Sequence, residues 1–328
     1  MFKPFSLILS LLAAVALSGA GASIAQGAYP SGPVTVIVPF APGGSVDVAA
    51  RIVTQRLAER LKQPVVVENV PGAAGTIGTQ RAIRAKPDGQ TLLFAVASPI
   101  TVAPQVTPGT VKYDALKELV PIAPVGVAPF VLIGSPALAA NTTSELVKLA
   151  RSQPGKLNYG TDGVGTSMHV SMELVKQSAG IDVTHVPYKA GPQVLTELAG
   201  KQIDLAVLPV SLAQAFVKDG RVKAYGVTSK ARWPSLPGVP SLSESAEFKD
   251  MDIESWFGLL APASLDPAIR DRLAREIAAI TAEPEVIKKM DDAGLKPLQM
   301  GPAQFAAYLA REKQVFGRVI ASAGIKVE

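Results

Sequence analysis

The stretch Val34-Thr-Val-Ile-Val38-Pro-Phe-Ala-Pro-Gly43-Gly44-Ser45-Val-Asp47 sets the fold class of this chain. Five residues dominated by β-branched side chains favour an extended strand. A turn rich in Pro and Gly stops it. Apolar Ala50, Val53, Leu57 and Leu61 then recur three and four apart, which predicts a helix over residues 46–61. The same order follows at once. A strand at 65–67 leads into the glycine loop Pro71-Gly-Ala-Ala-Gly75, a helix over 76–85, the turn Pro87-Asp-Gly89 and a strand at 91–96. Strand, loop and helix repeating in this order predict parallel strands with helices packed on the sheet.

The pattern restarts after Pro124. Strands are expected at 130–133, 157–159, 183–186 and 203–208. Helices at 143–152, 168–179 and 193–199 alternate with them, the first capped by Asn141, Thr142 or Thr143. A strand at 222–227 is expected to lead back to the first half. Next come an irregular surface segment at 233–240 and a strand at 256–260. Three helices follow, with Pro267, Pro284 and Pro302 in their first turns; Gly294 and Gly324 close the last two. The expected fold is α/β, with two doubly wound domains, the second inserted into the first. Residues 26–124 plus 229–328 would form domain I, and 125–228 domain II. Two segments then join the halves and make a natural hinge.

A length of 328 residues suits two domains of roughly 150 residues each. Hydrophobic residues make up 48% and charged residues 18%, a balance that buries a core and argues against disorder. Aromatics are only 5%, so the core rests on Val, Ile, Leu and Ala, as in sheets covered on both faces. The net charge of +5 is scattered rather than clustered, so no nucleic-acid partner is expected. No Cys is present, which excludes disulfides, thiol chemistry, zinc–thiolate sites and an N-terminal lipidated Cys.

The N-terminus carries Lys3, an apolar run over 7–17, small residues at 18–22 and Ser23-Ile-Ala25. This predicts a cleavable signal peptide over residues 1–25, with a cut after Ala28 as the alternative. The run is short for a bilayer span, which disfavours a retained anchor.

Four loops share one design: Pro42-Gly-Gly-Ser45, Pro71-Gly-Ala-Ala-Gly-Thr76, Asp162-Gly-Val-Gly-Thr-Ser167 and Lys189-Ala-Gly-Pro192. Each follows the carboxyl end of a predicted strand and opens a helix. Glycine admits close backbone approach, and a helix start offers unpaired N–H groups with partial positive charge. Such loops bind anions without a basic side chain, where ligands of open α/β sheets sit. Two loops fall in each half, so they could face one another across a cleft. Taken singly, each is also an ordinary tight turn.

Enzyme motifs fail on inspection. Gly163-Val-Gly165 lacks the third glycine of a dinucleotide fingerprint, and no P-loop or G-x-S-x-G occurs. His169 and Glu173 are four apart on a helix, but no third ligand is spaced with them for a metal. His169, Ser167 and Asp162 are too close in sequence to form a relay. His169 is expected to bond locally and His185 to be structural. Asp47 near a helix start favours the helix dipole. Asp204 is open to a turn or cap role or to ligand contact. No catalytic residue, metal or cofactor is expected.

A larger set of segments carries a family likeness. It includes Pro39-Phe-Ala-Pro-Gly-Gly-Ser-Val-Asp47, Glu68-Asn-Val-Pro-Gly-Ala-Ala-Gly-Thr-Ile-Gly78, Tyr159-Gly-Thr-Asp-Gly-Val-Gly-Thr-Ser-Met-His169, Val186-Pro-Tyr-Lys189 and Trp256-Phe-Gly-Leu-Leu-Ala-Pro262. Together, in this order, they resemble the substrate-binding receptors of tripartite tricarboxylate transporters, the Bug family. The resemblance implies a two-hinge periplasmic binding protein fold of type II, a periplasmic location and a small carboxylate ligand; the chain is expected to be a monomer. It also implies delivery to an inner-membrane permease pair. By motif, first-domain contacts would come from Phe40, Gly43, Gly44, Ser45 and Asp47, from Ala73, Ala74, Gly75 and Thr76, and from Ser98. Second-domain contacts would come from Thr161, Gly163, Gly165, Thr166, Ser167 and His169, with Ala190, Gly191 and Asp204. Val70, Ala74 and the Ala190-Gly-Pro-Gln193 turn depart from the family pattern in ligand-facing loops. Two other readings stand beside the receptor: a secreted hydrolase, and a sensor that signals to a membrane kinase.

Overall fold

A computed structural model describes residues 29–325, so the expected signal peptide lies outside the described residues. Strand β1 is Val34–Val38, helix α1 Ser45–Leu61, β2 Val65–Asn69, α2 Thr76–Ile83 and β3 Thr91–Ala95. A π-helical turn, Ser98–Val102, and a short helix, Ala103–Val106, lead towards β4, Leu119–Gly134. The next elements are α3 Thr143–Ser152, β5 Asn158–Thr161, α4 Ser167–Ala179, β6 Thr184–Pro187, α5 Gly191–Ala199, β7 Leu205–Pro209, α6 Val210–Lys218 and β8 Lys223–Val227. The chain closes with β9 Glu254–Pro262, α7 Pro267–Thr281, α8 Pro284–Asp292, β10 Lys296–Pro297 and α9 Pro302–Ser322.

The strands run in the order β2-β1-β3-β9-β4-β7-β5-β6, with β8 and β10 also paired to β4. Parallel pairing joins β1 to β2 and β3, and β5 to β6 and β7. Two parallel units therefore flank an antiparallel pair, β9 and β4. The long strand β4 belongs to both: its residues up to Pro129 pair with β9, and Phe130 to Gly134 pair with β7 and β8. Contrary to expectation, the strand at 223–227 stays on the second sheet, against Val131 to Gly134. The return to the first half falls in the segment that follows it.

Alternation within β1 explains why the first sheet is covered on both faces. Val34, Val36 and Val38 enter the core with Ala50, Val53 and Leu57 of α1 and with Ile277 of α7. Ile37 enters the opposite core with Ala82 of α2. Val53 and Leu57 are essentially unexposed, and burying each such side chain stabilises by about 1.5–3 kcal/mol. Thr142 caps α3 within a capping box completed by Glu145, a cap that lies in the expected window. The segment over 233–240 is irregular, as expected, but it does not lie free on the surface. Trp233 and Leu236 are buried, the Trp233 indole N–H donates to the Gly294 carbonyl at 3.1 Å, and Lys296 stands over its ring. A partner distant in sequence supplies that burial.

Candidate ligand-binding cleft

Strand register decides where the loops meet. β3 runs against β9 with Ala95 opposite Gly258, and β9 runs against β4 with Glu254 opposite Pro129. The carboxyl ends of β1, β2 and β3 therefore point towards Pro129. On the second sheet Pro209, at the carboxyl end of β7, lies opposite Phe130. Both parallel units thus aim their carboxyl ends at the point where β4 crosses between sheets. A cavity of about 650 Å³ lies there, and residues of all four glycine-bearing loops line it.

From the first half, Phe40, Gly44 and Ser45 line the cavity, as do Ala73, Ala74, Gly75 and Ser98. Gly44 is the N-cap of α1, and no side chain caps that helix. Its first N–H groups keep their hydrogen-bonding capacity for something outside the helix. Gly43 and Asp47 do not line the cavity. The Asp47 carboxylate accepts from Gly43 N–H at 3.0 Å, from Asn69 Nδ2 at 2.9 Å and from Arg51 Nε at 3.0 Å. Asn69 also donates to the Phe40 carbonyl at 3.0 Å. Burial works to raise the Asp47 pKa, but the bonds from Arg51, Gly43 and Asn69 outweigh it and hold it below the usual carboxylate range. Asp47 therefore shapes the turn from behind. Asp47→Ala should destabilise the protein by roughly 1–3 kcal/mol in urea denaturation, because buried donors lose their acceptor. Asp47→Asn, which keeps an acceptor oxygen, should lose less.

The second loop is tightly wound. Ala73, Ala74 and Gly75 have φ of 48°, 55° and 86°, three consecutive residues in the left-handed region. Ala74 holds this conformation without a glycine's freedom, at about 1–2 kcal/mol of strain. Thr76 does not line the cavity; its hydroxyl donates to the Ala73 carbonyl at 2.8 Å.

From the second half, Gly163, Ser167, Ala190 and Gly191 line the cavity. Ser167 reaches Ser98 across the cleft: the two hydroxyls are 2.9 Å apart, and Ser167 N–H donates to Ser98 Oγ at 2.9 Å. Thr161, Gly165, Thr166 and His169 lie behind this wall. Thr166 is the N-cap of α4, accepting from His169 N–H at 3.3 Å and donating to the Gly163 carbonyl at 3.0 Å. His169 Nδ1 accepts from Gly165 N–H at 3.3 Å. The His169 ring stacks on His185 at 4.2 Å, and His185 stacks on Tyr159 at 4.8 Å. His185 Nε2 and the Thr161 hydroxyl are hydrogen bonded at 2.7 Å. Burial depresses both histidines, His185 to about 4, so the stack is uncharged at neutral pH. Glu173 accepts from the Tyr159 hydroxyl and from Lys176, which occupies it apart from His169.

Asp204 takes the cap role rather than the expected ligand contact. Its Oδ2 accepts from Asn158 N–H at 2.9 Å, and its own N–H donates to Asn158 Oδ1 at 3.1 Å. It clamps the amino ends of β5 and β7, whereas the cavity lies at their carboxyl ends, so it does not line the cavity.

Several lining residues escaped the sequence reading. Phe130 comes from the crossing point of β4 and Ser255 from the start of β9. Pro209 ends β7, Leu212 lies in the first turn of α6, and Tyr188 follows β6. The junction of β7 and α6 has no glycine, yet its place at a carboxyl strand end could have marked it. Asp162 also lines the cavity; its Oδ1 is shielded and lacks a hydrogen-bond partner among the described residues. Burial pushes its carboxyl up to about 6. The one cationic side chain on the lining is Lys189, which is exposed.

Residues 49–325 match the family model described as "Tripartite tricarboxylate transporter family receptor". The chain is 32% identical over 317 residues to protein BugT of Bordetella pertussis, covering 96% of this chain and 96% of that one. It resembles the structure of the periplasmic binding protein BugD, with a TM-score of 0.86 and 30% identity, over 92% of this chain and 100% of that one. It also resembles R. palustris Rpa4515 with adipate, with a TM-score of 0.87 and 27% identity, over 91% and 99% of the two chains.

Proposed function

Since the chain belongs to the tripartite tricarboxylate transporter receptor family, we propose that its cleft captures a small carboxylated metabolite by backbone and hydroxyl donors at the helix starts. The family consists of solute-binding receptors rather than enzymes, which removes the hydrolase reading. The fold is that of the periplasmic binding proteins. The observation that carries the proposal is the uncapped start of α1 at Gly44 and Ser45, opening onto a cavity enclosed by loops of both halves. Helix starts attract anions through unpaired N–H groups and the aligned peptide dipoles.

On this reading the halves, residues 26–124 with 229–328 and residues 125–228, close on the ligand about their two links. The protein acts in the periplasm after removal of residues 1–25, and hands its ligand to an inner-membrane permease pair. Among the described residues no helix is long and apolar enough to cross a membrane. The proposed contacts are the lining members of the predicted set, notably Gly44, Ser45, Gly75, Ser98, Ser167 and Gly191. Gly43, Asp47, Thr166 and His169 hold those contacts in place.

A thermal-shift screen of protein stripped of ligand by unfolding and refolding tests the reading. The panel spans mono-, di- and tricarboxylates and amino acids. A binder at a hundredfold excess over its Kd adds about 2.7 kcal/mol to stability. That corresponds to a rise of roughly 5–10 °C for domains of this size. A refolded, monodisperse protein that answers to no carboxylate in the panel sinks the proposal.

A further inference from the structure

Resting on the reading of the cleft as a carboxylate receptor, we infer that its ligand is a monocarboxylate with a bulky apolar body, aromatic, alicyclic or branched. The wall contributed by the second half carries the inference. Phe130, Met168, Pro209 and Leu212 line it, and none offers a side-chain donor or a charge. They form one surface. A Cβ placed on Gly191 would lie 2.8 Å from Leu212 Cδ2 and 3.2 Å from Met168 Cε, so both side chains pack directly on that loop. Phe40 faces the cavity from the first half, packed on Gly75.

Charge points the same way. The charged side chains on the lining are Lys189 and Asp162, one of each sign. Lys189 is exposed, and the Asp162 carboxyl is shielded at its Oδ1. A helix start carries about half an elementary charge. Thr166 caps α4, so the uncapped starts of α1, α2 and α5 offer about one and a half between them, enough for one carboxylate and not for two or three. Further carboxylates would face an apolar wall with no Arg opposite them. The cavity, about 650 Å³, is also of the size that encloses a ligand with a substantial body.

The test is calorimetry on the full mature chain, stripped of ligand, with benzoate, 4-methylbenzoate and cyclohexanecarboxylate set against succinate, malate and citrate. The expected result is Kd values at least tenfold lower for the first group, since single apolar groups in such pockets discriminate by roughly that factor or more. Leu212→Asn, a change at a partly exposed position, should weaken the apolar acids about tenfold and leave the short hydrophilic acids within twofold. If succinate, malate or citrate binds as tightly as the apolar acids, the inference falls while the receptor reading stands. If none of the six binds, the inference falls, and the wider thermal-shift panel decides the receptor reading. A Leu212→Asn protein that melts like wild type but weakens both groups equally, or neither, overturns the assignment of the apolar wall.

Discussion

Gly75→Asp should abolish carboxylate binding while the fold still assembles. Gly75 is the N-cap of α2, has φ of 86°, and lines the cavity. A Cβ there would stand 3.0 Å from Phe40 Cζ and 3.3 Å from Pro99 Cγ, contacts tight enough to shift the Phe40 ring. The new carboxylate would then stand at the helix start and occupy donors proposed for the ligand. Two unit charges 4 Å apart at an effective dielectric near 20 repel by about 4 kcal/mol. That is roughly a thousandfold in affinity. Gly75→Asn has nearly the same size and tolerates positive φ, so it separates charge from bulk. It should weaken binding far less. Calorimetry with the tightest carboxylate from the screen decides the matter. A Gly75→Asp protein that binds as well as Gly75→Asn would show that the ligand carboxylate does not sit at this loop.

The second large effect concerns Glu312 of α9, whose partners Thr101 and Trp256 lie close in sequence to the lining residues Ser98 and Ser255. Its Oε2 accepts from the Trp256 indole N–H at 2.7 Å and from the Thr101 hydroxyl at 2.8 Å. Burial pushes its carboxyl up to about 7, against these two bonds, which pull it down. An unfolded glutamate titrates near 4.3. The folded protein therefore holds this proton more tightly, and stability from this group falls as pH rises from about 4.5 through 7. Glu312→Gln keeps an acceptor oxygen and removes the titration. At pH 8 it should be more stable than wild type by up to about 3 kcal/mol, and at pH 5 nearly equal. Glu312→Ala should lose stability at both pH values, because the Trp256 and Thr101 donors are left unpaired. The buried histidines act in the opposite sense. Their pKa is lowered on folding, so their contribution is present above about 6.5 and fades on acidification through the folded value. Comparing Glu312→Gln with wild type across pH cancels that background. Parallel pH profiles for the two proteins would rule out titration of Glu312 in this range.

Local regularities in the chain carried much of the fold. Apolar spacing marked α1 through Ala50, Val53 and Leu57. Thr142 and Glu145 are spaced as a capping box, and Pro267 and Pro284 open α7 and α8. These signals are local because each depends on residues within a turn or two of one another. The glycine loops were legible for the same reason: a strand end, a turn and a helix start are adjacent in sequence. Residue roles inside those loops were not. Gly43 and Gly44 are neighbours, yet Gly44 lines the cavity while Gly43 is tied back by Asp47. His169 faces His185, which is distant in sequence, and the stack turns it away from the cleft.

The α/β class, the alternation of strands and helices, and four glycine-bearing turns at carboxyl strand ends follow from the chain alone. Hydrophobic period and turn chemistry act over a few residues, and no tertiary partner is needed to state them. The passage of β4 through both sheets is settled in three dimensions, because strand register depends on partners far along the chain. That register brings Phe130 opposite Pro209 and Glu254 opposite Pro129, and so turns both sets of loops towards one cavity. It also supplied the apolar wall. Phe130, Met168 and Leu212 carry no local mark of a binding site, and burial between two halves of the molecule is what makes them one.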